Sequence, residues 1–254
     1  TVHQLRSTNL VLEDVLEELP KWQQHSSRAG VEHLKALVDA MPGIRFIGVT
    51  DADGILRIAN LDSFIGSDFS QRAYFQSARR SKQADMLYVS PPFKSVSSVQ
   101  VMNLTRAIIG PRGEFAGVVT ASIDPEYFTA LMSSVLYAPD MWDALAHGDG
   151  TLFLMVPGRE RLHGMNLVQP GSFFSRHRES GLSFTVMSGM VYSTGEERMI
   201  AQQTVRPDDL RMDHPLVVAT SRDLDAIYAP WRGMAWMQSG MFILFSLVAI
   251  TALH

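Results

Sequence analysis

The sequence GEFAGVVTASIDPEYF occupies residues 113–128 and combines three local signals. Gly110 to Gly113 read as a turn, and FAGVVTASI (115–123) is a near-continuous apolar run with the length of a buried strand. Asp124 and Pro125 follow, and this pair is typical of a helix cap and a first helical position. The stretch therefore predicts a turn, a buried strand and the start of a helix.

The residues before this stretch predict an antiparallel sheet with helices packed against it. Asp51 to Gly54 read as a hairpin turn, and Ser70 can cap a short helix that carries Tyr74, Phe75 and Ala78. Strands are predicted at 44–49, 55–59, near 86–89 and at 99–109. This order of elements is typical of an α+β fold.

A weaker copy of the same order follows. MNLVQPGSFFSRHR (165–178) is similar to IGSDFSQRAYFQSAR (65–79), and PLVVATSRD (215–223) parallels FAGVVTASID (115–124). Further strands are predicted at 152–156, 184–187, 199–205 and 216–220. The repeat predicts two related modules in tandem.

The first residues predict a long helix with a heptad-like apolar stripe, formed by Leu5, Leu12, Val15, Leu19 and Trp22. The stripe fits a dimer seam and packing on its own domain equally well. Pro20 is expected to interrupt or kink the helix near its end. A second helix is predicted over about 27–41.

The C-terminal end predicts a transmembrane helix. No charged residue occurs from Gly233 to Leu253, and Trp231 and Trp236 stand where interfacial aromatics are expected. We expect the chain to be the extracytoplasmic part of a longer protein that has been cut within this span.

Composition excludes several classes of function. The 254 residues carry a net charge of −4 and no cysteine, which argues against nucleic acid as a partner and excludes disulfides and thiolate metal sites. No phosphate-binding loop or nucleophile elbow occurs, and His147, His163, His177 and His214 are scattered. We predict no enzymatic activity for this stretch, no cofactor and no metal.

Four segments resemble the double Cache (tandem PAS-like) sensor domain of bacterial transmembrane receptors, and most closely those attached to diguanylate cyclases. They are FIGVTDADG (46–54), DFSQRAYFQSA (68–78), GEFAGVVTASIDPEYF (113–128) and PLVVATSRDLDAIYAPWR (215–232). The resemblance implies an α+β fold in four parts. These are a helical stalk (1–42), a membrane-distal Cache module (43–138), a membrane-proximal Cache-like module (139–222), and an exit helix with the transmembrane segment (223–254).

The resemblance also implies a ligand site in the membrane-distal module. Arg72 and Tyr74 match a helix motif that contacts a ligand carboxylate, and Asp124 matches an aspartate that takes a ligand ammonium group. Phe75 follows Tyr74 in the same motif and is also a site candidate, and weaker lining candidates are Tyr88, Asn103 and Thr105. Ser67 stands where amino-acid-binding members carry tyrosine, so an organic acid is expected at least as much as an amino acid.

Structural alternatives remain for the main candidates. Arg72 could form an ion pair with Asp68 or Asp124, Asp124 could cap a helix, and Tyr74 and Phe75 could be core residues.

We therefore predict a periplasmic small-molecule sensor anchored in the bacterial inner membrane, with a homodimer contact through the N-terminal helix. The predicted output is a diguanylate cyclase. The alternatives are the sensor of a histidine kinase or chemoreceptor, or a ligand-free dimerisation module.

Overall fold

The computed structural model describes residues 2–25, 27–95 and 98–252. Its helices are α1 (Val2–His25), α2 (Ser27–Ala40), α3 (Ala73–Ser81), α4 (Pro125–Ser133), α5 (Phe173–Ser180) and α6 (Leu224–Ala252). Its strands are β1 (Ile44–Thr50), β2 (Leu56–Ala59), β3 (Tyr88–Val89), β4 (Phe93–Lys94), β5 (Gln100–Val101), β6 (Asn103–Ile109), β7 (Phe115–Ile123), β8 (Trp142–His147), β9 (Leu152–Val156), β10 (Phe184–Met190), β11 (Glu197–Val205) and β12 (Leu216–Asp223).

Two five-stranded antiparallel sheets share one topology. The first has the strand order β2-β1-β7-β6-β3, and the second has the order β9-β8-β12-β11-β10. Each strand of the first sheet thus has a counterpart in the second, and α3 and α5 occupy equivalent places in the chain. We call the two sheets with their helices the first and second modules. The predicted α+β fold with two related modules is confirmed.

Helix α1 packs on its own chain. The stripe residues Leu5, Leu12, Val15, Leu19 and Trp22 are all buried in the core that also holds the inner strands of the first sheet. Arg106 of β6 fixes the helix to the sheet, because its guanidinium donates to Asn9 Oδ1 at 2.9 Å and pairs with Glu13. The stripe is therefore used within the first module, and Pro20 lies inside a helix that continues to His25.

Helix α3 begins later than the sequence suggests. Its N-cap is Arg72, not Ser70, and no side chain caps it. The Ser70 amide instead donates to the Asp68 carboxylate at 2.7 Å, and the Arg72 amide donates to the Phe69 carbonyl at 3.0 Å. These two turns use the residues that were expected to start the helix, so the prediction of Ser70 as cap was wrong.

Two further elements differ from expectation. The strand predicted at 99–109 is divided into β5, which pairs with β4, and β6, which joins the main sheet. Strand β8 was not predicted, although it lies next to the centre of the second sheet. Strand β5 has only two residues, and every residue of β8 is buried. Neither strand therefore shows the alternation of apolar and polar residues that marks a half-buried strand.

The two modules are joined by hydrogen bonds to the main chain of Leu87 and Val89 in the first module. The Leu87 amide donates to the Arg211 carbonyl at 2.7 Å, and the Val89 amide donates to Asp213 Oδ1 at 2.8 Å. His147 of β8 places Nε2 3.1 Å from the Val89 carbonyl. One apolar core continues from the first module into the second.

Helix α6 leaves the second module directly after β12. Its segment Leu224–Thr251 is long and apolar enough to cross a membrane, and its most apolar part is not buried against the chain. This finding rests on length and composition, and it agrees with the predicted transmembrane helix.

Candidate ligand site in the first module

A cleft of about 560 Å³, including its open mouth, lies between the first sheet, the start of α3 and the β4–β5 hairpin. The described residues that line it are Arg45, Phe46, Leu61, Phe64, Phe69, Arg72, Tyr74, Phe93, Ser95, Val101, Asn103 and Ser122. Three of the seven predicted site residues, Arg72, Tyr74 and Asn103, are therefore brought together.

Arg72 offers a positive charge at one wall of the cleft. It is half-buried at the N-cap of α3, and its guanidinium carbon lies 5.1 Å from the centre of the Phe93 ring. Within residues 2–25, 27–95 and 98–252, no carboxylate forms an ion pair with it: Asp68 accepts from the Ser70 amide and Asp124 from that of Glu126. The expected structural ion pair of Arg72 does not form in this part of the chain.

Tyr74 stands beside Arg72 and is only 4% exposed. Burial raises the pKa of its hydroxyl well above the ordinary value, and the positive charge of Arg72 opposes this shift only in part. The phenol therefore stays neutral at physiological pH and keeps a proton to donate. Its ring lies 5.9 Å from that of Phe93, so the two rings form one wall.

Asn103 forms a fixed polar floor. Its Nδ2 donates to Thr120 Oγ1 at 3.0 Å, and its Oδ1 accepts from Ser122 Oγ at 2.7 Å. Asn103 and Ser122 pair across β6 and β7, so the sheet register holds both side chains at the cleft. The floor is thus held in place by the sheet itself.

Three other candidates are not among the lining residues. Phe75 is fully buried and packs edge-on against Phe115 at 5.4 Å. Tyr88 is buried, and its hydroxyl accepts from the Gln83 amide at 3.3 Å. Thr105 is fully buried behind Asn103 on the same strand face and contacts the Thr120 hydroxyl. Each has contacts typical of a core residue.

Asp124 also lies outside the lining. Its carboxylate accepts from the Glu126 amide at 2.9 Å and caps α4, with Pro125 in the first turn. A carboxylate at this position stabilises the helix start. The structure thus gives Asp124 the capping role that was its structural alternative.

Arg45 is a lining residue that the sequence did not indicate. Ile44 pairs with Ile123 and Phe46 with Ser122, so Arg45 is the extra residue of a β-bulge in β1. A bulge re-aims a side chain that simple alternation would place elsewhere. Because the bulge depends on pairing with β7, no local pattern marks it.

The fold matches a set of solved sensor domains. The extracellular domain of a protein assigned as a histidine kinase, rpHK1S-Z16, superposes with a TM-score of 0.76 at 27% identity, and the match covers 91% of each chain. The chain has the fold of a Cache-type sensor domain.

Two chemoreceptor domains of Pseudomonas aeruginosa PAO1 share this fold at lower identity. The ligand-binding domain of PctB, solved with L-Arg, has a TM-score of 0.66 at 17% identity and covers 89% of each chain. That of PctC, solved with GABA, has a TM-score of 0.64 at 17% identity, over 87% of this chain and 92% of the other. No protein-family model and no curated protein matches the chain.

These relatives are sensor domains, not catalytic ones, which supports the prediction that this stretch is not an enzyme. Extracellular relatives together with the apolar helix α6 fit a membrane-anchored periplasmic domain. None of the three structures named above comes from a diguanylate cyclase.

Proposed function

We propose that this chain is the sensing region of a membrane-bound signalling protein, and that the cleft of the first module binds a small organic acid. One observation carries the proposal. Two arginines, Arg45 and Arg72, line the cleft, and its described lining includes no carboxylate.

The charges favour a plain acid over an amino acid. An arginine pairs with a carboxylate through two parallel hydrogen bonds, and such charge-assisted bonds are the stronger kind. The ammonium group of an amino acid would need an acidic partner in the same cleft, but Asp124 caps α4. The aromatic wall of Tyr74 and Phe93 suits an apolar body on the acid.

The signal would leave through α6. Strand β12 runs directly into this helix, so a shift of the second sheet moves the predicted span. The sequence resemblance favours a diguanylate cyclase as output, and the similar structures favour a histidine kinase or chemoreceptor. The homodimer also stays a proposal. It would use a face of α1 other than the buried stripe.

The proposal is tested by calorimetric titration of the full chain in lipid nanodiscs with butyrate, benzoate, succinate, and the amino acids leucine and 4-aminobutyrate. We expect at least one plain acid to bind, and Arg72→Ala to weaken it about 10- to 100-fold, since a hydrogen bond to a charged group contributes about 1.5–3 kcal/mol. Arg79→Ala is the matched control, because Arg79 is exposed on the same helix. Binding of amino acids alone, or equal loss in both variants, would contradict the proposal.

A further inference from the structure

The second module contains a cleft at the place equivalent to that of the first. It encloses about 530 Å³, including its mouth, and its floor is formed by strands β8, β11 and β12. Leu152 and Met155 of β9, the start of α5 and the turn after β10 complete its lining. The first cleft has its floor on β1, β6 and β7, which are the counterparts of these three strands. Both clefts therefore use the same face of the repeated fold.

The chemistry of the second cleft differs from that of the first. The N-cap of α3 is Arg72, whereas that of α5 is Ser172. The Ser172 hydroxyl accepts from the Ser175 amide and donates to the Leu167 carbonyl at 2.8 Å. The described lining has no Lys, Arg, Asp or Glu, and most of it is aliphatic or aromatic. A charged ligand would lose its hydration here without gaining a partner.

Two polar side chains in this lining lack partners. Among the residues that the structure describes, Trp142 Nε1 and Gln202 Oε1 have no hydrogen-bond partner, although the two residues are only 6% and 4% exposed. Buried polar groups are nearly always paired, and an unpaired one destabilises the fold. One unmet donor and one unmet acceptor on two residues of the same lining match a ligand that carries both an acceptor and a donor.

The nearby arginine does not supply a charge to the cleft. Arg198 lies 5.5 Å from the Trp142 ring, donates to Ser221 Oγ at 2.7 Å and pairs with Glu196 at 3.0 Å. It also donates to the Asp140 carbonyl. Its guanidinium thus holds the indole in place, and its charge is already compensated.

We propose that the second module binds a small uncharged molecule with an apolar body and a carboxamide-like or alcohol-like polar group. The acceptor of this group accepts a hydrogen bond from the Trp142 indole N–H, and its donor donates one to the Gln202 side-chain carbonyl. The site does not depend on the first cleft or on its ligand. Ala219 of β12 forms part of the floor, so the ligand contacts the strand that continues into α6.

The test uses 4-fluorobenzamide as probe and the full chain in lipid nanodiscs, with fluorine NMR as readout and empty nanodiscs as background. 4-Fluorobenzoate is the charged control of the same shape. We expect the amide to bind and the acid not to compete for the same site. Gln202→Leu should weaken the amide about 2- to 10-fold, as the loss of one neutral hydrogen bond predicts. Ala219→Phe fills the cleft and should abolish binding.

Two controls separate this site from a folding effect and from the first cleft. Gln202→Leu removes an unpaired buried carbonyl, so its melting temperature should equal or exceed that of the unchanged protein while its affinity falls. Arg72→Ala should leave amide binding unchanged. The inference is overturned if the amide fails to bind, if the acid displaces it, if Arg72→Ala abolishes its binding, or if Gln202→Leu binds it with unchanged affinity.

Discussion

The packing of α1 on its own module can be tested with one residue of its stripe. Leu12 is fully buried against the first sheet, whereas Leu10, two residues earlier on the same helix, is 64% exposed. Replacing either by alanine makes the same chemical change in the same helix, so helix propensity contributes equally to both. The difference between the two variants therefore reports burial alone.

The expected difference is large. A buried Leu→Ala change costs about 2–5 kcal/mol, because the lost transfer energy is joined by the cost of a cavity. In a domain of about 150–250 residues, each kcal/mol lowers the melting temperature by about 2–4 °C, so Leu12→Ala should lower it by roughly 4–20 °C. An exposed substitution stays within about 0.5 kcal/mol, so Leu10→Ala should change it by about 2 °C or less.

The measurement is thermal unfolding of the full chain in nanodiscs, followed by near-ultraviolet circular dichroism at two protein concentrations. If the stripe were a dimer seam, the effect of Leu12→Ala would depend on concentration, because oligomer stability follows mass action. Equal melting temperatures for the two variants, or an effect that changes with concentration, would refute packing on the chain's own sheet.

Three further changes test other parts of the fold. Gly117→Ala should lower the free energy of unfolding more than Gly113→Ala does. Both glycines have positive φ, but a side chain at Gly117 would also overlap the Thr50 carbonyl. Chemical unfolding of the two variants checks this order. Burial raises the pKa of Asp143, so the folded state binds more protons than the unfolded state. Its contribution to stability therefore falls as pH rises above the ordinary aspartate pKa, and Asp143→Asn should raise the melting temperature at pH 7 but not at pH 3. Burial lowers the pKa of His177, so stability should fall as pH drops below about 6.5, and His177→Gln should flatten the profile measured from pH 7.5 to 5.

The elements predicted correctly are those in which neighbouring residues signal where the element begins and ends. Strand β7 has the predicted bounds, 115–123, because an apolar run lies between a glycine turn and an Asp-Pro pair. Strand β9 and helix α2 were placed equally well, within one residue. In these segments the hydrophobic pattern and the flanking residues agree, so tertiary contacts need not override either.

The site was only partly predictable, since its shape depends on contacts between distant strands. Arg72, Tyr74 and Asn103 reach the cleft, but Asp124 serves α4 and Thr105 lies behind the floor. The local sequence pattern predicts neither the bulge at Arg45 nor the short β4–β5 hairpin that brings Phe93 over the cleft. Both arise from pairing across the sheet, which the order of residues along one strand does not encode.

The contacts between the modules suggest how the two proposed sites would act on one helix. The end of β12 is held to the segment just before β8 by Arg222, which donates two hydrogen bonds of 3.0 Å to Asp140. These bonds hold the pKa of the Asp140 carboxyl below its ordinary value, although burial works against the shift, so the pair remains charged at neutral pH.

One route from the first cleft to this point runs through the contacts of β3 with the second module, where Val89 meets both Asp213 and His147. A ligand in the second cleft contacts β12 directly. Coupling requires that each ligand bind two arrangements of the same element with different affinity. Strand β12 is the element that both routes share, because it follows Asp213 in the chain and ends where α6 begins. Two chemically different ligands would thus bias one strand, and the helix that continues from it would carry their combined effect.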